Sequence, residues 1–314
     1  MYRPTAKYLF FLLALFSLPM FVLAQAPNKF PFKKQDMPFN ATAVERPIDH
    51  DCVREGTGQG DAQQTQNRAK NDFGEHGTPV AISITDFDLL ERAAERAKKC
   101  AANHLTTCQK LVLTNVGDQL LPADRTQLKN IAKTAAGAPV GEGTLVVLEA
   151  KVLHAKYSNS KFDIHGVKNG KPDRSQGESV NCKGVPDLNA SSEIDRNDIH
   201  VVLAAPGVMS ECLSVTAEIS PHFRPEAWRH FHNQRPNQLG EDVNKVVKGV
   251  DLTKFKAVRI TGPLFYDASH TPCTPGHSAS PPRRSIWEIH PVYKLDVQTA
   301  GGQWVSFEEF MKTH

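Results

Sequence analysis

From Gly143 onward the hydrophobic pattern changes period from helical to alternating, and this limits the fold more than any other feature of the chain. Thr144 to Lys156 places Val146, Leu148, Ala150 and Val152 on one face of a long strand. A long polar stretch follows, and then Asp198 to Leu203 carries Ile199, Val201 and Leu203 on one face. A turn at Pro206-Gly207 leads into Leu213 to Ser220, where Leu213, Val215, Ala217 and Ile219 alternate with polar residues, so these two segments read as a hairpin. Pro225 opens a short helical stretch, and Glu241 to Lys248 forms another that Gly249 can end. Alternation resumes in Lys256 to Phe265 and in Ile286 to Val297.

Three strands, a helix and two more strands, with a long first strand, is the order of an OB-fold barrel. An open antiparallel sheet with helices on one face is the other architecture this order allows. The fold class expected is therefore α+β, mainly β: a five-stranded OB-like barrel over residues 140–300, preceded by a small helical segment and an extended N-terminal arm.

The helical segment covers residues 79–139. Its first helix begins at a capping-box pattern, Thr85-x-x-Asp88, carries Phe87, Leu90, Ala94, Ala97 and Ala101 at helical steps, and ends near Asn103. A second helix is expected from Pro122 to Gly137, with Leu128 and Ile131 inward. Residues 25–78 are rich in Pro, Gln, Asn, Gly and charge and show little hydrophobic period, which predicts an extended arm pinned in part by Cys52. Residues 301–314 read as a C-terminal tail.

Residues 1–24 have the pattern of a secretory signal, with Arg3 and Lys7 before an apolar run and Val22-Leu23-Ala24 at the cleavage site. No later run approaches a membrane span, so a periplasmic or secreted protein is expected, with no stable membrane insertion once the signal is removed. Cleavage would remove two of 37 basic residues and none of the 34 acidic ones, leaving a nearly neutral chain. That balance, and the few aromatics on the expected outer face, argue against nucleic acid as the partner.

Six cysteines in an exported chain read as a disulfide set. In an OB barrel the turn before the third strand and the loop before the fifth lie at the same end, which pairs Cys212 with Cys273. Cys52 is then assigned to Cys182, and Cys100 to Cys108.

Four segments carry a resemblance: Asn197-Asp-Ile-His200, Glu211 to His222 (ECLSVTAEISPH), Val258 to His270 (VRITGPLFYDASH) and Trp287 to Tyr293 (WEIHPVY). Together they resemble a group of uncharacterised secreted bacterial proteins over roughly residues 140–300. The resemblance implies one compact unit and brings no activity with it.

Alternation also sorts the polar residues. With Ile199, Val215, Ala217, Trp287 and Ile289 inward, Asp198, His200, Thr216, Glu218, Glu288 and His290 share the outer face of the second, third and fifth strands. Asp267 and His270, at the end of the fourth strand, can join them. One reading is a hydrogen-bonded polar network that holds register. The other is a metal or acid/base site built on His200, His290, Glu218 and Glu288.

Bases on the long loops, Lys161, Lys168, Lys171, Arg174 and Lys183 before the second strand and Arg283 and Arg284 before the fifth, border the groove of that face. Gly276-His-Ser-Ala-Ser280 falls short of a nucleophile elbow, because the prolines around it forbid a strand-turn-helix. His230 and His232 diverge on a helix and read as surface residues. No Walker, Rossmann or His-Glu-x-x-His motif occurs.

The function expected first is a non-catalytic binding or interaction module, with the face of the second, third and fifth strands and the long loops contacting an unidentified ligand or protein. The alternative is a metal-dependent hydrolase, phosphodiesterase-like, using His200, His290, Glu218 and Glu288. No cofactor is implied beyond the divalent metal of that alternative.

Overall fold

The computed structural model describes residues 30–117, 119–157, 178–182, 197–229, 250–277, 279 and 281–314, with the two short strands Val167–Lys168 and Lys171–Pro172. The segment expected as a signal, the expected helix over Glu241 to Lys248, His230, His232, Ser278, Ser280, and the loop bases Lys161, Arg174 and Lys183 lie outside the described residues.

The main sheet contains β1 (Val80–Ile82), β2 (Leu145–Tyr157), β3 (Ile199–Ala204), β4 (Val215–Ile219), β5 (Val258–Tyr266), β6 (Trp287–Ile289), β7 (Lys294–Gln298) and β8 (Trp304–Ser306). Strand β2 pairs antiparallel with β3, β3 with β4, and β4 runs parallel to β6. Strand β6 pairs antiparallel with β5, which returns to β2 and closes a five-stranded barrel. This is the OB order expected from the strand pattern. A bulge between Val152 and His154 bends β2, so that one strand reaches β1, β5 and β3.

The inner face is apolar throughout. Val146, Leu148, Ala150 and Val152 meet Ile199, Val201, Leu203, Val215, Ala217, Ile219, Trp287 and Ile289, all buried. Helix α3 (Asp86–Ala102) closes part of this core with Phe87, Leu90, Ala94 and Ala97.

The expected single strand from Ile286 to Val297 is two strands. Pro291 has no N–H to continue a ladder, so the chain leaves β6 and resumes as β7 on the other half of β5. Gly262 sits at that step, where a Cβ would lie 2.4 Å from the Pro291 carbonyl oxygen.

Helix α3 starts where its spacing predicts, but no side-chain cap forms at Thr85. Asp86 serves the helix start instead, accepting hydrogen bonds from Ser83 N at 2.8 Å and Ala135 N at 2.8 Å. The second expected helix is only a 3-10 turn, Arg125–Leu128, followed by a ribbon of Ala132–Lys133 and Pro139–Val140. Asn130 adopts φ 50°, which a helix cannot contain, and Arg125 is drawn inward to Glu142 and the Tyr266 carbonyl.

The N-terminal region is folded, contrary to the extended arm its composition suggests. Its described part holds α1 (Pro47–Asp51) and α2 (Gly60–Lys70) and lies against the barrel. Phe30, Met37, Ala43 and Phe73 form a buried cluster with Phe223 and Tyr293. Asp49 takes a 2.8 Å contact from His222 Nδ1 and a hydrogen bond from Phe223 N. The C-terminal residues are likewise part of the fold, as β8 and α4 (Phe307–Met311) with Phe307 fully buried.

All six cysteines are paired: Cys212–Cys273, which the barrel topology predicts, and Cys52–Cys182 and Cys100–Cys108, the assignments left for the other four, with Cα separations of 5.5, 5.7 and 6.2 Å. Among the described residues no helix is long and apolar enough to cross a membrane.

Candidate functional site

Pairing of the strands brings the alternating polar residues together. Glu218 lies opposite His200 across β4 and β3, and Thr216 lies beside Glu288 across β4 and β6. Asp198 and His290 flank the same patch, and Asp267 follows directly from β5. All eight residues named from the pattern are therefore on one side of the barrel, with His270 at its edge.

They are not exposed. Asp198, Glu218, Asp267, Glu288 and His290 have 1% or less of their surface accessible, and His200 and Thr216 are also buried. The N-terminal region lies over this face, and the expected open contact surface is a covered one. Arg283 and Arg284 do not border a groove either. Arg283 is fully buried with its Nη1 3.2 Å from Glu288 Oε2, and Arg284 pairs with Asp88 of α3.

Three residues enter the cluster that the strand pattern does not mark: Lys70, Glu178 and Arg283. Lys70 is the last residue of α2, and its Nζ lies 3.4 Å from Glu218, 3.6 Å from Asp267, 3.6 Å from Glu178 and 3.9 Å from Glu288. Glu178 sits at the rim, in the segment that the Cys52–Cys182 bridge ties to α1. The only signal for Lys70 is its position in the polar run Gln66 to Asn71, which resembles an exposed helix end.

Glu218 is the hub. Its Oε1 is 3.0 Å from His200 Nε2, and its Oε2 is 3.2 Å from His290 Nε2. Burial opposes its charge, but His200, Lys70 and His290 hold it well below the usual carboxylate range. Burial also opposes charge on His290, yet Asp198 and Glu218 raise it to about 10. His200 is pushed down to about 4 by burial. Glu288 is raised well above the ordinary range by burial and by the Glu218 and Asp267 carboxylates, and Glu178 is raised to about 8 by burial and its acidic neighbours despite Lys70. Five carboxyl groups thus share one small volume with too few fixed cations to ionise them all.

Several of these polar atoms lack a hydrogen bond. Both oxygens of Asp198, both nitrogens of His290, Asp267 Oδ2 and Glu288 Oε1 are buried without one. Among the described residues two sets of ligand atoms, Asp198, Glu218 and His290, and Glu218, Asp267 and Glu288, each lie within 4.8 Å of one another and share Glu218. Carboxylate oxygens with one imidazole are a donor set for a divalent cation.

No protein-family model, curated protein or solved structure matches this chain. The cluster must therefore be read from its own chemistry. His200, one of the four residues expected as ligands, contacts Glu218 and orients it rather than completing either set, whereas Asp198 and Asp267 join in its place.

Proposed function

We propose that the protein is an exported, divalent-cation-dependent hydrolase of the phosphodiester class, with its metal centre on the covered face of the barrel. The observation that carries this reading is the pair of ligand sets sharing Glu218, with the buried Asp198 carboxylate making no hydrogen bond and only a 3.6 Å contact to His290 Nε2 among the described residues. His290 Nε2, 3.6 Å from Asp198, is shared with Glu218 at 3.2 Å, so one imidazole faces two buried carboxylates and a cation beside them would stabilise both. Mixed carboxylate and imidazole donors suit manganese or zinc. A cation held there would polarise a phosphoryl oxygen and activate water, and adjacent positions suit displacement at phosphorus. Three disulfides support work outside the reducing cytosol, where such bonds persist, and residues 1–24 supply a signal for export.

The test is a metal inventory of the disulfide-bonded chain, purified without chelator or His-tag, followed by hydrolysis of bis(p-nitrophenyl) phosphate. Stoichiometric manganese or zinc is expected, with turnover lost in EDTA and in Asp198→Ala. A chain that retains no metal and takes up neither ion would overturn the reading.

A further inference from the structure

The two ligand sets differ in what faces them. Among the described residues, Asp198, Glu218 and His290 have no ammonium or guanidinium within salt-bridge distance other than the Lys70 contact to Glu218. Glu218, Asp267 and Glu288 surround the Lys70 Nζ at 3.4, 3.6 and 3.9 Å. Of these only Glu218 is within hydrogen-bond reach, and Asp267 Oδ2 and Glu288 Oε1 are left without a hydrogen bond. An ammonium has three protons to donate and here faces four carboxylates, counting Glu178. It occupies the cage as a point charge and does not satisfy it.

We propose that Glu218, Asp267 and Glu288 form a second cation position and that the Lys70 ammonium is a tethered occupant of it, so that the N-terminal region sets how many metal ions the centre holds. This rests on the reading of the cluster as a metal centre. An oxygen-preferring divalent ion such as Mn2+ takes about six ligands at about 2.0–2.6 Å and would draw in the oxygens that Lys70 leaves apart. Ion and ammonium cannot share the cage, because like charges at this separation repel strongly in a protein interior.

The tether is built to let go. The buried residues of α2 are Gln66, Asn67 and Lys70, none of them apolar. The helix is held by polar contacts: Asn67 Nδ2 to the Glu55 carbonyl at 2.8 Å and to Ser179 Oγ at 3.2 Å, Arg54 to the Arg68 and Asn71 carbonyls at 3.0 and 3.1 Å, Arg125 to Gln66 Oε1 at 3.1 Å, Asn71 Nδ2 to the Val180 carbonyl at 3.1 Å, and Arg68 to Glu55 at 3.2 Å. Water can replace each of those bonds once the helix lifts, whereas the Phe30 and Phe73 cluster keeps the flanking chain in place. Withdrawal of Lys70 uncovers the face and frees the second position together.

The experiment is Mn2+ titration calorimetry with elemental analysis on the full disulfide-bonded chain after EDTA dialysis. The wild type should bind one ion tightly, Lys70→Met two, and Lys70→Arg one. The second ion should bind the wild type about 100-fold more weakly than Lys70→Met, as expected for displacing a buried unit charge. Adding Glu288→Gln to Lys70→Met should return the count to one. As a check that does not depend on folding of the variant, acetylation of Lys70 in the wild type should rise at saturating Mn2+. One ion in both wild type and Lys70→Met, or two tight ions in the wild type, would overturn the tethered occupant and leave the metal centre standing. No ion in either protein would overturn the centre, and this inference with it.

Discussion

Trp287 and Glu288 are adjacent in sequence and equally inaccessible, but they are buried by different means. Trp287 points into the barrel and is covered by residues of the strands themselves and of α3. Glu288 points the other way and is covered by Arg283 from its own loop and by Lys70 from the N-terminal region. Apolar burial is non-directional, so any well-fitting hydrocarbon neighbour serves. A buried charge requires a particular counter-charge at a particular place, and that partner can come from anywhere in the chain. Lys70 reaches Glu218 across 148 residues.

The inner face sets the largest expected effect. Trp287→Ala removes a fully buried indole from a closed barrel that cannot collapse around the hole, and should lower stability by about 3–5 kcal/mol. Urea unfolding followed by near-ultraviolet circular dichroism measures it. A cost under about 1 kcal/mol would mean that the barrel repacks freely and that the two faces do not differ in this way.

The same contrast explains what was legible in the sequence. Val146, Leu148, Ala150 and Val152 announce β2 because a face that packs against hydrocarbon repeats every second residue. Asp198 and His200, Thr216 and Glu218, and Glu288 and His290 keep the same period in polar residues, so their meeting on one face follows from strand order. That the face is covered does not follow. A helix that docks on charges carries no apolar stripe, and Gln66, Asn67 and Lys70 look like solvent residues for that reason. The second expected helix failed differently: Leu128 and Ile131 have helical spacing, but the left-handed backbone at Asn130 and the inward pull on Arg125 belong to tertiary structure.

Opening the cover without touching the barrel sharpens the comparison next. Cys52–Cys182 ties α1 to the segment carrying Glu178, and both of its cysteines are buried. The double variant Cys52→Ser with Cys182→Ser should cost about 2–4 kcal/mol, through greater freedom of the unfolded chain. Limited proteolysis should then cut within residues 30–78 while a fragment containing β2 to β7 survives. Simultaneous loss of both regions would mean that cover and barrel unfold as one unit.

The smallest effect is expected where the barrel's outer surface carries charge without a cover. Arg259 and Glu149 are register partners across β5 and β2, 3.2 Å apart, with side chains 35% and 56% exposed. Water already solvates both charges, so the pair gains little Coulomb energy and holds two long side chains still in return. Arg259 also lies over the Trp304 ring, 4.1 Å from its centroid, and that contact survives loss of the carboxylate. Glu149→Ala should therefore change stability by about 0.2–1 kcal/mol, and less at high salt. A double-mutant cycle with Arg259→Ala isolates the pair from the ring contact. If the coupling instead matched the cost of opening the cover and ignored salt, exposure would not be what separates this pair from the Lys70 cluster. The cover would then have to be explained by shape and not by charge.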